Sequence, residues 1–197
     1  MRIVLSDFMS LDGVVQAPGG PDEDTDGGFE NGGWSMPFFD PGSMGQVIDE
    51  VLVSIEALLF GRRTWQTMAG AWPERAGDPF ADCMNEITKY VASRTLTEGD
   101  LHWTGSRLLP AGDVVGAVRD LRAGSGGDLL VMGSPSLASQ LVDQGLVDEY
   151  RLMIQPVLLG GGKRLFPEEG RARTLELVSA TPSETGVLIC TYRPVTS

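Results

Sequence analysis

From Arg2 to Met9 apolar residues recur at period two and outnumber the polar ones, which predicts a strand with a central place in a sheet. The period changes between Ser43 and Ile55, where Met44, Val47, Ile48, Val51, Leu52 and Ile55 fall on one helical face. Ala57 to Phe60 is a short buried strand that runs straight into Gly61-Arg62-Arg63-Thr64-Trp65-Gln66-Thr67-Met68, a glycine and a helix start. Ile87 to Ala92 reads as a strand, and Leu101 to Trp103 as another short one with His102 half-exposed on it. Val114 to Leu121 is a helix with Val114, Val115, Val118 and Leu121 inward, capped by Asp113 and ended by Gly124.

The stretch from Asp128 to Phe166 is the most regular: a buried strand (Leu129 to Met132), a sharp turn at Gly133-Ser134-Pro135, an amphipathic helix, a strand (Glu149 to Val157) and a triple glycine. Thr174 to Ala180 and Gly186 to Pro194 then alternate as two strands joined by a Pro-Ser-Glu-Thr turn region, an antiparallel edge. Strands and helices in this order predict an α/β fold, with a mostly parallel sheet, helices on both faces and a C-terminal antiparallel hairpin. A length of 197 residues suits one domain spanning residues 1–197.

Ala17 to Gly42 breaks the pattern. Glycine, proline and acid dominate it, with Trp34, Phe38 and Phe39 at its end, and loops this long are usually functional lids or disordered segments. Asp22, Asp24, Asp26 and Gly27 match the spacing of a calcium loop, but Gly33 stands where the bidentate acid belongs, so a solvated acidic loop is the default. Gly160-Gly161-Gly162-Lys163 is no phosphate loop, since Val157 replaces its first glycine and Arg164 its hydroxyl; it reads as a tight turn bringing backbone close to another element.

The net charge of −12 and a pI near 4.4 argue against nucleic acid or an anionic membrane as bulk partner, while leaving room for a local basic pocket. Cys83 and Cys190 lack metal-ligand spacing and read as free thiols in a reducing compartment. With no leader pattern at the N-terminus and no long apolar run, a cytoplasmic protein is expected. His102 is the single histidine, so a zinc enzyme built on several histidines is excluded, no metal site is expected, and a histidine-based triad would rest on that residue alone. Gly33-Trp34-Ser35-Met36-Pro37 starts like a nucleophile elbow and fails at the proline.

Three strand ends carry anion-binding chemistry. Gly133-Ser134-Pro135 puts a glycine turn and a helix N-terminus after a buried strand, where free N–H groups and the helix dipole favour an anion. Ser134 or Ser136 can cap that helix or bond a phosphate oxygen. Gly61 to Thr64 repeats the corner with two arginines that oppose the dipole of their own helix; either they point to solvent or they clamp a polyanion. Ser93-Arg94-Thr95 is a third such end. Ligands of open α/β sheets bind beyond the carboxyl ends of strands, so three corners imply a ligand with more than one phosphate, held without a Rossmann fingerprint.

These residues carry a resemblance. Phe60-Gly61-Arg62-Arg63-Thr64-Trp65 resembles the Gly-Arg-x-Thr-Trp element of dihydrofolate reductases, and Leu130-Val131-Met132-Gly133-Ser134 the strand and glycine turn that meet the cofactor in that family. Gly133 to Pro156 with Gly145-Leu146-Val147-Asp148-Glu149, together with Ser10-Leu11-Asp12-Gly13 and Trp34-Ser35, resembles more closely the reductase domain of riboflavin-biosynthesis deaminase-reductases. The resemblance implies a dihydrofolate reductase-like fold, NADPH as hydride donor, a small flat heterocyclic substrate and a homodimer. The implied activity is of the 5-amino-6-(5-phosphoribosylamino)uracil reductase type, with a dihydrofolate or pteridine reductase and a non-catalytic NADPH-binding protein as alternatives.

Residue by residue, it implies Gly61, Arg62, Arg63 and Thr64 on the pyrophosphate and 2′-phosphate side, Ser93 and Arg94 on the 2′-phosphate, and Gly133, Ser134, Ser136 and Leu137 along the pyrophosphate. Trp34 and Ser35 would lie near the nicotinamide or substrate, with Asp40 or Asp12 as the acid. One departure stands out: Met132 occupies the position where riboflavin-pathway reductases carry a substrate-binding acid.

Overall fold

The computed structural model describes residues 1–75, 77–166 and 170–195, without the side chains of Met44, Gln46, Ile48, Asp49, Val51 and Leu52. One eight-stranded sheet organises it, in the order β4-β3-β2-β5-β1-β6-β8-β7. Its strands are β1 (Arg2–Ser10), β2 (Ile55–Gly61), β3 (Thr88–Ala92), β4 (Ser106–Leu108), β5 (Asp128–Met132), β6 (Glu149–Gln155), β7 (Leu175–Pro182) and β8 (Leu188–Pro194). The first six in spatial order pair in parallel, while β8 runs antiparallel to β6 and to β7. The expected central position of β1 and the antiparallel terminal hairpin are both present.

The helices are α1 (Pro41–Ser54), α2 (Arg62–Ala71), α3 (Pro79–Glu86), α4 (Val114–Ala123) and α5 (Pro135–Asp143). Because side chains alternate across a strand, β1 sends Ile3, Leu5 and Met9 into a core with α4 and α5, and Val4 into another with α2 and α3. Helices therefore cover both faces, and the buried apolar runs of β2 and β5 follow from that double burial. The apolar stripe expected on α1 falls mainly on Met44, Ile48, Val51 and Leu52, whose side chains lie outside the described residues; Ile55 begins β2 instead. Among the described residues no helix is long and apolar enough to cross a membrane.

Two expectations need correction. Leu101 to Trp103 is not a strand: His102 is exposed in a turn and β4 begins at Ser106. Trp103 imitates a strand position because its side chain enters the core from that turn, stacking on Phe60 at 6.0 Å and donating to Asn85 Oδ1 at 2.8 Å. Helix α3 was not anticipated. Asp78 caps it by accepting from Phe80 N and Ala81 N, and Pro79 starts it, both ordinary helix-start signals.

The long loop is tied down. Trp34, Phe29, Ala17 and Val14 form their own apolar cluster, and Trp34 Nε1 donates to Gln16 O at 2.7 Å. Gly162 permits the close packing expected of the glycine run: a Cβ there would stand 2.7 Å from Val14 Cγ1 and 2.9 Å from Phe29 Cε2.

Candidate functional site

Since β3, β2 and β5 are adjacent and parallel, their C-terminal ends bring the three predicted corners side by side. Two of them interlock. Gly61 N donates to Ser134 Oγ at 2.6 Å, and a Cβ on Gly133 would lie 3.2 Å from Thr64 Cγ2. Gly133 (φ 58°) and Ser134 (φ 60°) are both left-handed, which suits the glycine and costs the serine about 1 kcal/mol. The bond from Gly61 helps hold Ser134 in that conformation.

Ser134 Oγ thus accepts across the corner with its O–H left to donate, and no side chain caps α5; none caps α2 at Gly61 either. Helices α3 and α4 are closed by Asp78 and Asp113. Two adjacent helix starts thus leave N–H groups open where an anion can reach them.

A cleft of about 980 Å³ runs along these strand ends. Gly61, Arg62, Arg63, Thr64, Ser93, Arg94, Gly133, Ser134, Ser136 and Leu137 all line it, as does Ser35. Ser93 Oγ accepts from Thr95 N and Leu96 N, shaping its corner, and Arg94 is exposed. Arg62 is bonded to the neutral Gln66 at 3.1 Å. Arg63 pairs with Asp24 at 3.1 Å and with Asp26, and Lys163 joins the same carboxylates at 2.6 and 3.0 Å. Arg63 does not simply point to solvent: loop carboxylates neutralise it where it lines the cleft, and with Lys163 it holds Asp26 down to about 2. Asp24 and Asp26 converge, but on the side-chain cations of Arg63 and Lys163, which fill the place a calcium ion would need.

Three expected residues lie outside the lining. Trp34 is 7 % exposed within its cluster, so it offers no open face for stacking. Asp12 accepts from Ser10 Oγ at 2.6 Å and from the N–H groups of Gly160 and Leu159, bonds that pull it down to about 2 and leave it ionised at neutral pH. Asp40 stands just before α1, accepting from Gly42 N at 3.0 Å and Ser43 Oγ at 2.6 Å, and the serine bond also lowers it. Asp12 shapes the turn after β1 and Asp40 the start of α1.

Phe8, Met36, Phe39, Met132 and Met153 supply the apolar wall instead. Ser35 Oγ is held on it by Gln155 Nε2 at 2.9 Å. Sequence reasoning missed Asp7, Glu23 and Lys163. Asp7 carried a usable signal, an acid inside an otherwise apolar strand. It is 4 % exposed, lines the cleft and has Oδ2 without a hydrogen-bond partner among the described residues. Burial first, and Glu23 second, push it well above the usual carboxylate range. Burial also raises Glu23.

The sheet order, the uncapped helix starts and the strand-end cleft define an α/β protein with a candidate ligand site at the carboxyl ends of its parallel strands. Residues 2–189 match the RibD C-terminal domain, and the chain belongs to that family. It is 29% identical to the uncharacterised protein YyaP of Bacillus subtilis, over 97% of this chain and 94% of that one. A putative riboflavin biosynthesis protein from Shewanella sp. PV-4 superposes with a TM-score of 0.68 at 20% identity, covering 100% of both chains. Dihydrofolate reductase from Enterococcus faecalis, complexed with NADP(H) and RAB-propyl, gives 0.61 at 16% identity over 98% of this chain and 96% of that one. The fold is dihydrofolate reductase-like, as expected.

Proposed function

We propose that this protein is an NADPH-dependent reductase of a small flat heterocycle, of the aminouracil type found in riboflavin biosynthesis or of the pteridine type. The observation that carries the proposal is the pair of uncapped helix starts, α2 and α5, interlocked at one cleft beside Arg62 and Arg94. The residues fit the cofactor. Gly61 and Gly133 let the two corners approach so closely that a Cβ at either would meet a neighbour at 3.0 to 3.2 Å. N–H groups of the first turns of α2 and α5 would take the pyrophosphate, and Arg62 with Arg94 the 2′-phosphate.

Bound NADPH supplies a hydride; the protein supplies alignment, a dry wall and a proton. Phe8, Met36, Phe39 and Met153 would hold a flat ring against β1 and β6 and keep water from it. Asp12 and Asp40 are each lowered and engaged in their own turn outside the cleft, which argues against either as the acid. Met132 on the wall favours keeping a non-catalytic NADPH-binding protein as the second reading, since the riboflavin-type acid is missing there.

The test has two steps. NADPH should raise the melting temperature more than NADH does, and a dihydropterin or an aminouracil should then drive its oxidation. No thermal shift with NADPH removes the reductase; a shift without oxidation of any such substrate leaves the binding protein. We also place the protein in the cytoplasm as a homodimer joined along β7, an edge strand whose Leu177 and Val178 are exposed. A single-chain mass in sedimentation removes the dimer.

A further inference from the structure

We propose that Asp7 is the residue that delivers the proton to the substrate heteroatom during reduction, a role that rests on the reductase reading. The argument is positional. A ligand lying on the strand ends meets β3, β2 and β5 with their phosphate-type corners, and next meets β1. From β3 to β1 is three strand spacings, about 14 Å. That is the scale separating the adenosine-phosphate end of an extended dinucleotide from its reactive ring. Beyond β1 lies β6, whose Met153 belongs to the apolar wall and pairs in register with Phe8. Asp7 therefore sits at the boundary between the anion-binding half of the cleft and its ring-binding half.

Its chemistry fits that position. The Asp7 side chain shares the face of Leu5 and Met9, beside the α5 corner, and its Oδ2 is buried without a partner while the residue still lines the cleft. Among the described residues the groups around it carry no compensating cation. Glu23 faces it from the loop, the β5–α5 corner offers only the Gly133 N–H, and the in-register neighbour on β6 is Leu152. Arg63 and Lys163 are turned to Asp24 and Asp26. Burial and the nearby carboxyl raise Asp7 well above the usual carboxylate range and so favour its protonated form, a hydroxyl donor whose Oδ2 has no partner among the described residues. The C=N or C=O bond of the substrate is its acceptor. A hydride from the dihydronicotinamide forms the new C–H bond, the π electron pair moves to the nitrogen or oxygen, and that atom takes the proton from Asp7. The Asp7 carboxylate then regains a proton from water by way of Glu23, which stands at the same cleft and is itself raised.

The test compares wild type with Asp7→Asn, first without cofactor. Infrared difference spectra at neutral pH should show the carbonyl band of a protonated carboxylic acid in the wild type and its loss in the variant. Asp7→Asn should bind NADPH within about threefold of wild type and lose about 100-fold or more in hydride transfer to a dihydropterin. The pH limb contributed by this acid should vanish with it. An ionised Asp7 in the cofactor-free protein, or transfer by Asp7→Asn within threefold of wild type, overturns the proposal. Failure of the reductase reading is distinguishable: wild type then binds no NADPH, while the infrared band remains.

Discussion

Among the buried titratable residues, Asp128 and Glu149 are paired with arginines, whereas Asp7 and Lys89 depart from the rule that charge stays at the surface in two different ways. Asp7 is uncompensated. Its pKa is raised on folding, so the stability it contributes is fully present below its unfolded value near 3.8 and is lost as pH rises through the folded value. Asp7→Asn should therefore melt higher than wild type, by a margin that widens from pH 4 towards neutrality in calorimetry; a constant margin would refute the raised acid. Lys89 is compensated: 0% exposed, it donates to Asn85 O, Ile87 O and Thr104 O at 2.7 to 2.9 Å and lies 4.4 Å from the Trp103 ring centroid. Lys89→Met would leave those three carbonyls without their donor and should cost about 3 kcal/mol in urea unfolding at pH 7. Burial pulls the Lys89 ammonium down to about 8 from 10.5, so the unfolded chain binds more protons between those values. Its contribution to stability accordingly rises with pH across that window, and the gap between wild type and Lys89→Met should widen there.

Elements were legible where their signals are local. Strand ends followed by glycine and a helix start named β2–α2 and β5–α5, and Asp113 marked α4, because caps and turns need only adjacent residues. What those corners do to each other was not legible. Ser134 was expected to cap α5 or meet a phosphate; it does not cap α5, and its hydroxyl accepts from Gly61, a residue 73 positions away, which still leaves its O–H to donate. Trp34 ended a loop and suggested ring stacking, but its partners Val14, Ala17 and Phe29 bury it. The interlock makes Gly133→Ala informative. A methyl group at φ 58° is strained and would press on Thr64 Cγ2 at 3.2 Å, so about 1–2 kcal/mol of stability should go. Since the contact spaces α2 from α5, NADPH affinity should fall by more than that stability loss explains; unchanged affinity in fluorescence titration would separate the corners from the cofactor.

For the whole molecule, the parallel sheet with its antiparallel hairpin followed from the order of periodicities, whereas the charge pattern of the cleft did not follow from composition. On the proposed function a chain of net charge −12 would receive a phosphate-bearing ligand, and it lines the cleft with both signs. Asp24 and Asp26 meet Arg63 and Lys163 across separations of 37 to 139 residues, which no local pattern reveals. Those carboxylates stand where ligand phosphates would find the same cations, so loop and ligand compete for them. Breaking such exposed pairs costs little, because solvent screens them. The prediction is directional. Asp24→Asn with Asp26→Asn should leave the fold intact, release Arg63 and Lys163, and tighten NADPH binding several-fold at low salt, with the gain shrinking as ionic strength rises. If Arg63 lies on the 2′-phosphate side, NADPH should gain more than NADH. Weaker binding by the double variant would mean instead that the carboxylates position Arg63 for the ligand rather than withhold it, and titrations of both nucleotides at two salt concentrations distinguish the two cases.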